Sequence, residues 1–257
     1  MNRVGFCPES QADFDALVGL WAKNSLRVTG IFTHFAAADE NGGDSPEFTR
    51  SQFERFTGLC SRLRGAGLDV GLRHCCNSAG IIRSPEMHLD LVRAGVSLYG
   101  LLPSEDCAGD IRPHPVMSLK TVVTMVKTVP AGQPVSYGRT FTAPRAMRVA
   151  TIAVGYADGY DRGYSNRGRV LVRGQFAPIL GRVCMDQCMV DVSGVDGVTA
   201  GEVVTLAGVD GEQAITMDDL AALSGTISYE KVCLVGKRVT RVNLRHGRVA
   251  EVEGYKK

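Results

Sequence analysis

Apolar positions recur in two rhythms along this chain, and the rhythm changes near residue 112. In the first half, helical spacings alternate with short apolar runs. "SQADFDALVGLWAKN" places Phe14, Leu17, Leu20 and Trp21 on one helical face, and Ser10 and Asp13 stand at capping-box spacing. "RVTGIFTHF" reads as a buried strand. "SPEFTRSQFERFTGLCSRLRGAG" predicts a second helix with Ser45 as N-cap and Pro46 at the first helical position. Its apolar face is Phe48, Phe53, Phe56, Leu59 and Leu63, and Gly65 and Gly67 stop it. "DVGLRHCC" predicts another strand and "SPEMHLD" a helical turn. "LDLVRAG" or "VSLYG" closes the series, with "LDLV" running up to a strand end at Arg93. Strands alternating with helices imply a parallel sheet.

Beyond residue 112 the chain turns β-branched and is broken by Pro and Gly. "MRVATIAVG", "GRVLVRG", "QFAPILG", "CMVDVSG" and "EVVTLAG" predict strands separated by turns. Two short helices interrupt them. "TMDDLAALSG" carries a capping box from Thr216 to Asp219, and the other starts near Ser228. The expected division is an α/β part at 1–111 and a mostly antiparallel β domain at 112–257. The first half holds only about three strand–helix units, too few for an eight-stranded barrel. Either it is a small open sheet, or the chain is a fragment of a longer one.

Composition narrows the function classes. Of 257 residues, 44% are hydrophobic and 22% charged, with formal charge +2. No basic stretch suggests nucleic acid, so a small-molecule ligand is expected. No apolar run approaches a membrane span, and the N-terminus lacks a signal-peptide core, so a cytoplasmic protein without a membrane partner is expected. The eight cysteines read as reduced thiols. Cys184 and Cys188 do not have zinc-site spacing, and no metal is expected.

Parallel α/β folds bind ligands beyond the carboxyl ends of strands. The polar candidates there are His34, Asn77, Ser78, and Arg93 with Gly95. Ser78, Gly95 and Val96 would bring a hydroxyl and backbone N–H groups to one spot, which suits a phosphate. Equally, Asn77 and Ser78 could cap a helix and Gly95 could serve a turn. In the second half, Tyr137 sits in the Gly-flanked turn "QPVSYGRTF", and "AVGYADGYDRGYS" suits the lining of a cleft.

Taken together, "MNRVGF", "GIFTHFAAAD", "HCCNSAG", "LVRAGVSLYG", "PVSYGRTF", "VGYADGYDR", "GRVCMDQCMVDV" and "TISYE" resemble the alanine racemases, in family order. That family is pyridoxal-phosphate (PLP) dependent. It joins a TIM-like (β/α)8 barrel to a C-terminal β domain, and the resemblance implies a partial barrel followed by that domain. It implies a homodimer with shared sites, acting on an amino-acid substrate to supply D-alanine for the cell wall. Arg93 would face the cofactor's pyridine nitrogen. Arginine only donates hydrogen bonds, so it weakens the ring as an electron sink and favours return of a proton to Cα. Tyr137 would be one of two proton-transfer groups, with His34 and Arg93 in its polar network. A tyrosine ordinarily titrates near ~10 and needs cationic surroundings to act as a base.

By the same resemblance, Arg3 stands near the cofactor's phenolic oxygen, and Met185 helps hold the substrate carboxylate through its backbone. Asn77, Ser78, Gly95, Val96 and Tyr229 join the cofactor site, most of them at the phosphate. Asp39, Tyr156, Arg162, Arg182 and Ile227 would line the access route. One departure stands out. The lysines are Lys23, Lys120, Lys127, Lys231, Lys237, Lys256 and Lys257, and none occupies the family's cofactor-anchoring motif. The chain by itself is therefore expected to be inactive. A serine racemase and a non-catalytic PLP-binding protein are the alternatives. Arg93 disfavours a related barrel decarboxylase, which carries an acidic residue there.

Overall fold

A computed structural model describes residues 1, 3–23 and 26–254. Asn2, Asn24, Ser25 and residues 255–257, which include Lys256 and Lys257, lie outside them. The chain divides into two compact units, one ending at Val116 and the other beginning at Met117.

In the first unit, α1 (Gln11–Trp21) is capped by Ser10, whose Oγ accepts the Asp13 N–H at 3.1 Å. The reciprocal half of the expected capping box does not form, because the Asp13 carboxylate takes the Cys7 N–H instead. β1 (Gly30–Phe32) pairs in parallel with β2 (Leu72–His74). Both are three residues long and half exposed, far shorter and less buried than the sequence pattern predicts. α2 (Ser45–Gly65) begins one residue earlier than expected, so Asp44 is its N-cap, while the Ser45 hydroxyl donates to Glu40. It ends at Gly65 as predicted, and Gly67 follows at φ +79. α3 (Ser78–Arg83) follows β2. The expected strand at "LDLV" is absent. Residues 91–95 are irregular, and Val96–Tyr99 form a 3-10 turn.

Two small cores hold this unit. Leu17, Leu59, Leu63 and Val70 join the facing sides of α1 and α2. Phe35, Phe56, Cys60, Cys75, Cys76, Met87 and Cys107 pack beneath the strand ends. Full burial of one such aliphatic side chain is worth about 1.5–3 kcal/mol. Four of these core residues are cysteines, which pack here as small hydrophobes.

The second unit matches its expected class. β3 (Leu119–Val129), β6 (Met147–Ile152), β7 (Arg169–Val172), β8 (Gln175–Leu180), β9 (Cys188–Asp191) and β10 (Val203–Asp210) pair antiparallel, and β11 (Gln213–Ile215) extends the sheet. A further β10–β7 pairing closes six strands into a ring, which removes open edges. Val149, Ile152, Val170, Leu171, Ala177, Val190, Val204 and Leu206 are buried on its strands. β4 (Pro134–Val135) and β5 (Phe141–Thr142) form a small hairpin bearing Tyr137. α4 (Met217–Ser224) has both halves of its capping box: the Asp219 N–H donates to Thr216 Oγ1 and the Thr216 N–H to Asp219 Oδ2. α5 (Ser228–Leu234) begins at Ser228 as expected. The pattern reading misses the hairpin β12 (Arg241–Arg245) and β13 (Arg248–Glu253), every residue of which is exposed.

Candidate functional site

Beyond β1 and β2 the chain delivers Thr33-His34 and Cys75-Cys76-Asn77 to adjoining positions. Arg93 is tied there through its backbone, its N–H donating to Cys76 O at 3.0 Å. Its half-buried guanidinium fans across both strand ends. Nη2 donates to Thr33 O at 2.9 Å, Cys75 O at 3.1 Å and His34 Nδ1 at 3.2 Å, while Nη1 meets His74 Nδ1. Phe32 stacks on His74 with centroids 5.2 Å apart, and Arg93 Cζ lies 5.3 Å from the Phe32 ring.

This geometry sets the protonation of both imidazoles. A guanidinium has no acceptor, so each Nδ1 must present a lone pair, and the proton of each neutral ring sits on Nε2. Electrostatics agree. Burial, then Arg93, then Arg3 lower the His34 pKa, and burial followed by Arg93 lowers that of His74. The four residues therefore share one field, with Arg3 exposed at its edge. Burial lowers the Arg93 pKa as well, but arginine keeps its charge at neutral pH. The hydrogen-bond partners of that cation are neutral oxygens and nitrogens.

Next to it the polar residues divide their work. Asn77 caps α3, its Oδ1 accepting the Gly80 N–H at 3.0 Å. Ser78 does not cap. Its Oγ accepts the Gly95 N–H at 3.0 Å and the Ser97 N–H at 3.4 Å, and lies 3.1 Å from Ser97 Oγ. Val96 is buried and begins the 3-10 turn. Asp39 is placed by its backbone, whose carbonyl accepts the Ser104 hydroxyl.

In the second unit Tyr137 is 71% exposed on strained backbone. Ser136 has φ +68 and Arg139 φ +51, on either side of Gly138 at φ +70. Such non-glycine conformations cost about 1–3 kcal/mol each and concentrate at functional sites. The Ser136 hydroxyl anchors the turn by donating to Arg182 O at 2.7 Å, and a Cβ on Gly138 would lie 2.9 Å from the Arg182 guanidinium carbon. Met185 and Tyr156 are clasped by their backbones: the Tyr156 N–H donates to Cys184 O and the Ala157 N–H to Met185 O, both at 3.0 Å. Arg238 bridges Asp158 and Asp186 across the same clasp. Arg162 begins a 3-10 turn capped by Asp161, while Ile227 is exposed as the N-cap of α5, which bears Tyr229.

Sequence reasoning missed His74, Ser97 and Arg238. The only signal for His74 was its place two residues after Leu72 in a run read as plain strand. Ser97 had the better signal, a hydroxyl two residues after Gly95.

Comparison with known proteins agrees with these motifs. A family model for the alanine racemase N-terminal domain matches residues 1–103, and one for its C-terminal domain matches residues 116–243. The chain is 47% identical over 243 residues to an alanine racemase of Desulfovibrio desulfuricans, covering 94% of this chain and 63% of that protein. It is 40% identical over 257 residues to one of Clostridium tetani, covering 99% and 65%. The crystal structure of Bacillus anthracis alanine racemase with bound L-Ala-P superposes with a TM-score of 0.92 at 34% identity, covering 99% and 65%. Clostridium difficile 630 alanine racemase in complex with cycloserine gives 0.90 at 34%, covering 98% and 65%. The chain spans just under two thirds of the length of these relatives. It carries the sequence of part of a racemase barrel and of the antiparallel β domain that follows, and it belongs to the alanine racemase family.

Proposed function

We propose that this chain contributes to the PLP-dependent interconversion of L- and D-alanine. Alanine is favoured over serine because the relatives above are named for it. The observation that carries the reading is the Arg93 network. A guanidinium held by two neutral imidazoles and two carbonyls presents a fixed donor with uncompensated charge. That donor set fits an unprotonated ring nitrogen and disfavours a protonated one. Ser78 adds a second fit. Its hydroxyl gathers the Gly95 and Ser97 N–H groups of one turn, which brings a hydroxyl and backbone donors to one spot, a donor set suited to a phosphate.

When bound, PLP stabilises negative charge at the substrate's Cα. This chain's residues do the rest. Arg93 holds the ring nitrogen as an acceptor and limits how much charge the ring withdraws. Ser78, Gly95 and Val96 hold the phosphate, with the Tyr229 hydroxyl assigned to the same group. Tyr137 moves a proton at one face of Cα, Arg3 supplies positive charge to the polar surroundings, and neutral His34 accepts from Arg93 and so holds its guanidinium in place. The Met185 backbone orients the substrate carboxylate. Asp39, Tyr156, Arg162, Arg182 and Ile227 are assigned to the access route. Tyr137 and Met185 are assigned to the site of a second copy, as in a homodimer. The product is D-alanine for peptidoglycan.

The second proton-transfer group is the cofactor-anchoring lysine, so the test supplies it. The chain is co-produced with the first third of an alanine racemase, and alanine enantiomers are followed by chiral chromatography with added PLP. Racemisation that is restored, and then abolished by Tyr137→Phe, supports the proposal. No racemisation in a folded, PLP-loaded assembly overturns it.

A further inference from the structure

The racemase reading leaves one buried charge without a task. Lys231, on α5, is only 3% exposed in its side chain, the most withdrawn cation among the described ion pairs. Its Nζ lies 2.8 Å from Asp161 Oδ2 and 5.4 Å from the Tyr164 ring centroid. Asp161 Oδ1 accepts the Gly163 N–H at 2.7 Å and so caps the 3-10 turn that begins with Arg162. Burial pushes the Asp161 carboxyl up, but hydrogen bonds from Lys231 and Gly163 prevail and hold it at about 2. The partners are therefore ionised and bonded across 70 residues of sequence.

Helix α5 makes this contact consequential. It has seven residues, too few to be stable without tertiary anchoring. Its buried residues are Ser228 and Lys231, a polar face. Tyr229 sits two positions before Lys231, about 200° around the helix axis. A directional bond at Lys231 therefore fixes the rotation of a short helix about its axis, and with it the direction in which Tyr229 leaves that helix.

We propose that the Lys231–Asp161 pair is a positioning element that locks α5 and the 156–164 segment into one rigid piece, setting Tyr229 relative to Tyr156 and Arg162 for cofactor binding. This rests on the racemase reading for what Tyr229 binds, but the lock itself stands on this unit's own contacts.

The test compares Lys231→Met, Lys231→Arg, the double variant Asp161→Asn/Lys231→Met, and Arg173→Met as a control that breaks an exposed ion pair with Glu202. Amide hydrogen exchange is read over residues 156–164 and 228–234. Affinity is read with pyridoxine 5'-phosphate, which lacks the aldehyde and cannot react with lysines. In Lys231→Met, exchange in both segments is expected to rise at least about tenfold and affinity to fall about tenfold. Lys231→Arg recovers part of each, and Arg173→Met changes neither. The double variant removes both charges, so its thermal midpoint recovers while exchange stays fast and affinity stays weak. If Lys231→Met does not fold, the double variant carries the comparison alone. Affinity and slow exchange returning together with the midpoint would overturn the proposal, because the pair would then serve stability only. So would unchanged exchange in either segment. Should the unaltered chain fail to bind pyridoxine 5'-phosphate, the assignment of Tyr229 to the cofactor fails, and the exchange measurement still decides the lock.

Discussion

Arg93 and Lys231 are both cations withdrawn from water, and their surroundings differ in one respect. Lys231 meets a carboxylate, whereas the bonded partners of Arg93 are neutral. Burial opposes charge on both. For Lys231 the Asp161 bond outweighs that opposition and its pKa is raised, while Arg93 is lowered. A neutralised cation has spent its field on the fold. A cation held only by dipoles keeps its field for a ligand. Under the proposed function, that difference would mark Arg93 as a binding group and Lys231 as a tether.

The sharpest way to break this contrast is to reverse the charge at Arg93. In the complemented racemase, Arg93→Glu is expected to lower racemisation about 100- to 1000-fold, the scale for losing a preorganised donor. It should also raise conversion of alanine to pyruvate, because a carboxylate favours a protonated ring nitrogen. Equal racemisation by the variant would show that the unpaired charge has no catalytic use.

Lys231→Met is the next largest. Stranding Asp161 should cost about 3 kcal/mol in urea unfolding, and removing both charges should be nearly neutral. Acid should reveal the same pair. The Asp161 carboxyl is held at about 2 in the folded chain, below the unfolded value near ~3.9. Its contribution is therefore complete above about pH 5 and lost as pH falls from about 4 toward 2. The variant should lack that portion of the acid transition, as circular dichroism at stepped pH would record.

A smaller effect reports on Arg93 directly. Removing its charge with Arg93→Leu should raise the pKa of both His34 and His74. Burial remains, so neither should return fully to its ordinary value. Imidazole proton shifts in NMR titrations measure this. A fall in either would contradict the assigned field. The smallest expected change is at Ser136→Gly. It relieves the φ +68 strain but forfeits the hydroxyl bond to Arg182 O. These nearly cancel, leaving stability within about 1 kcal/mol, while the order of the Tyr137 turn declines in relaxation measurements.

What the sequence reveals follows how local the determining interaction is. The caps of α1 and α4 were legible because Ser10 and Thr216 act on residues three positions away. Arg93 was read among the polar groups at strand ends, and its guanidinium does lie there, although the strand expected to lead up to it is absent. The two parallel strands were over-read, since "RVTGIFTHF" has strand chemistry but only Gly30–Phe32 finds a ladder partner among the described residues. Lys231 was invisible: in "TISYEKVC" it reads as a solvated lysine, and its carboxylate lies far away in sequence. The last hairpin was missed because its apolar positions, Val242, Leu244, Val249 and Val252, are exposed and no buried face marks them.

Gly155 carries a consequence of its own. A Cβ there would lie 2.2 Å from Cys184 O and 2.3 Å from Met185 O, so the two segments meet peptide plane against peptide plane. The spacing between Tyr156 and Met185 is thus dictated by main-chain atoms, whose dimensions do not vary with residue type. Exchanging the flanking side chains therefore leaves that backbone spacing unchanged, whereas enlarging residue 155 itself would force the two segments apart.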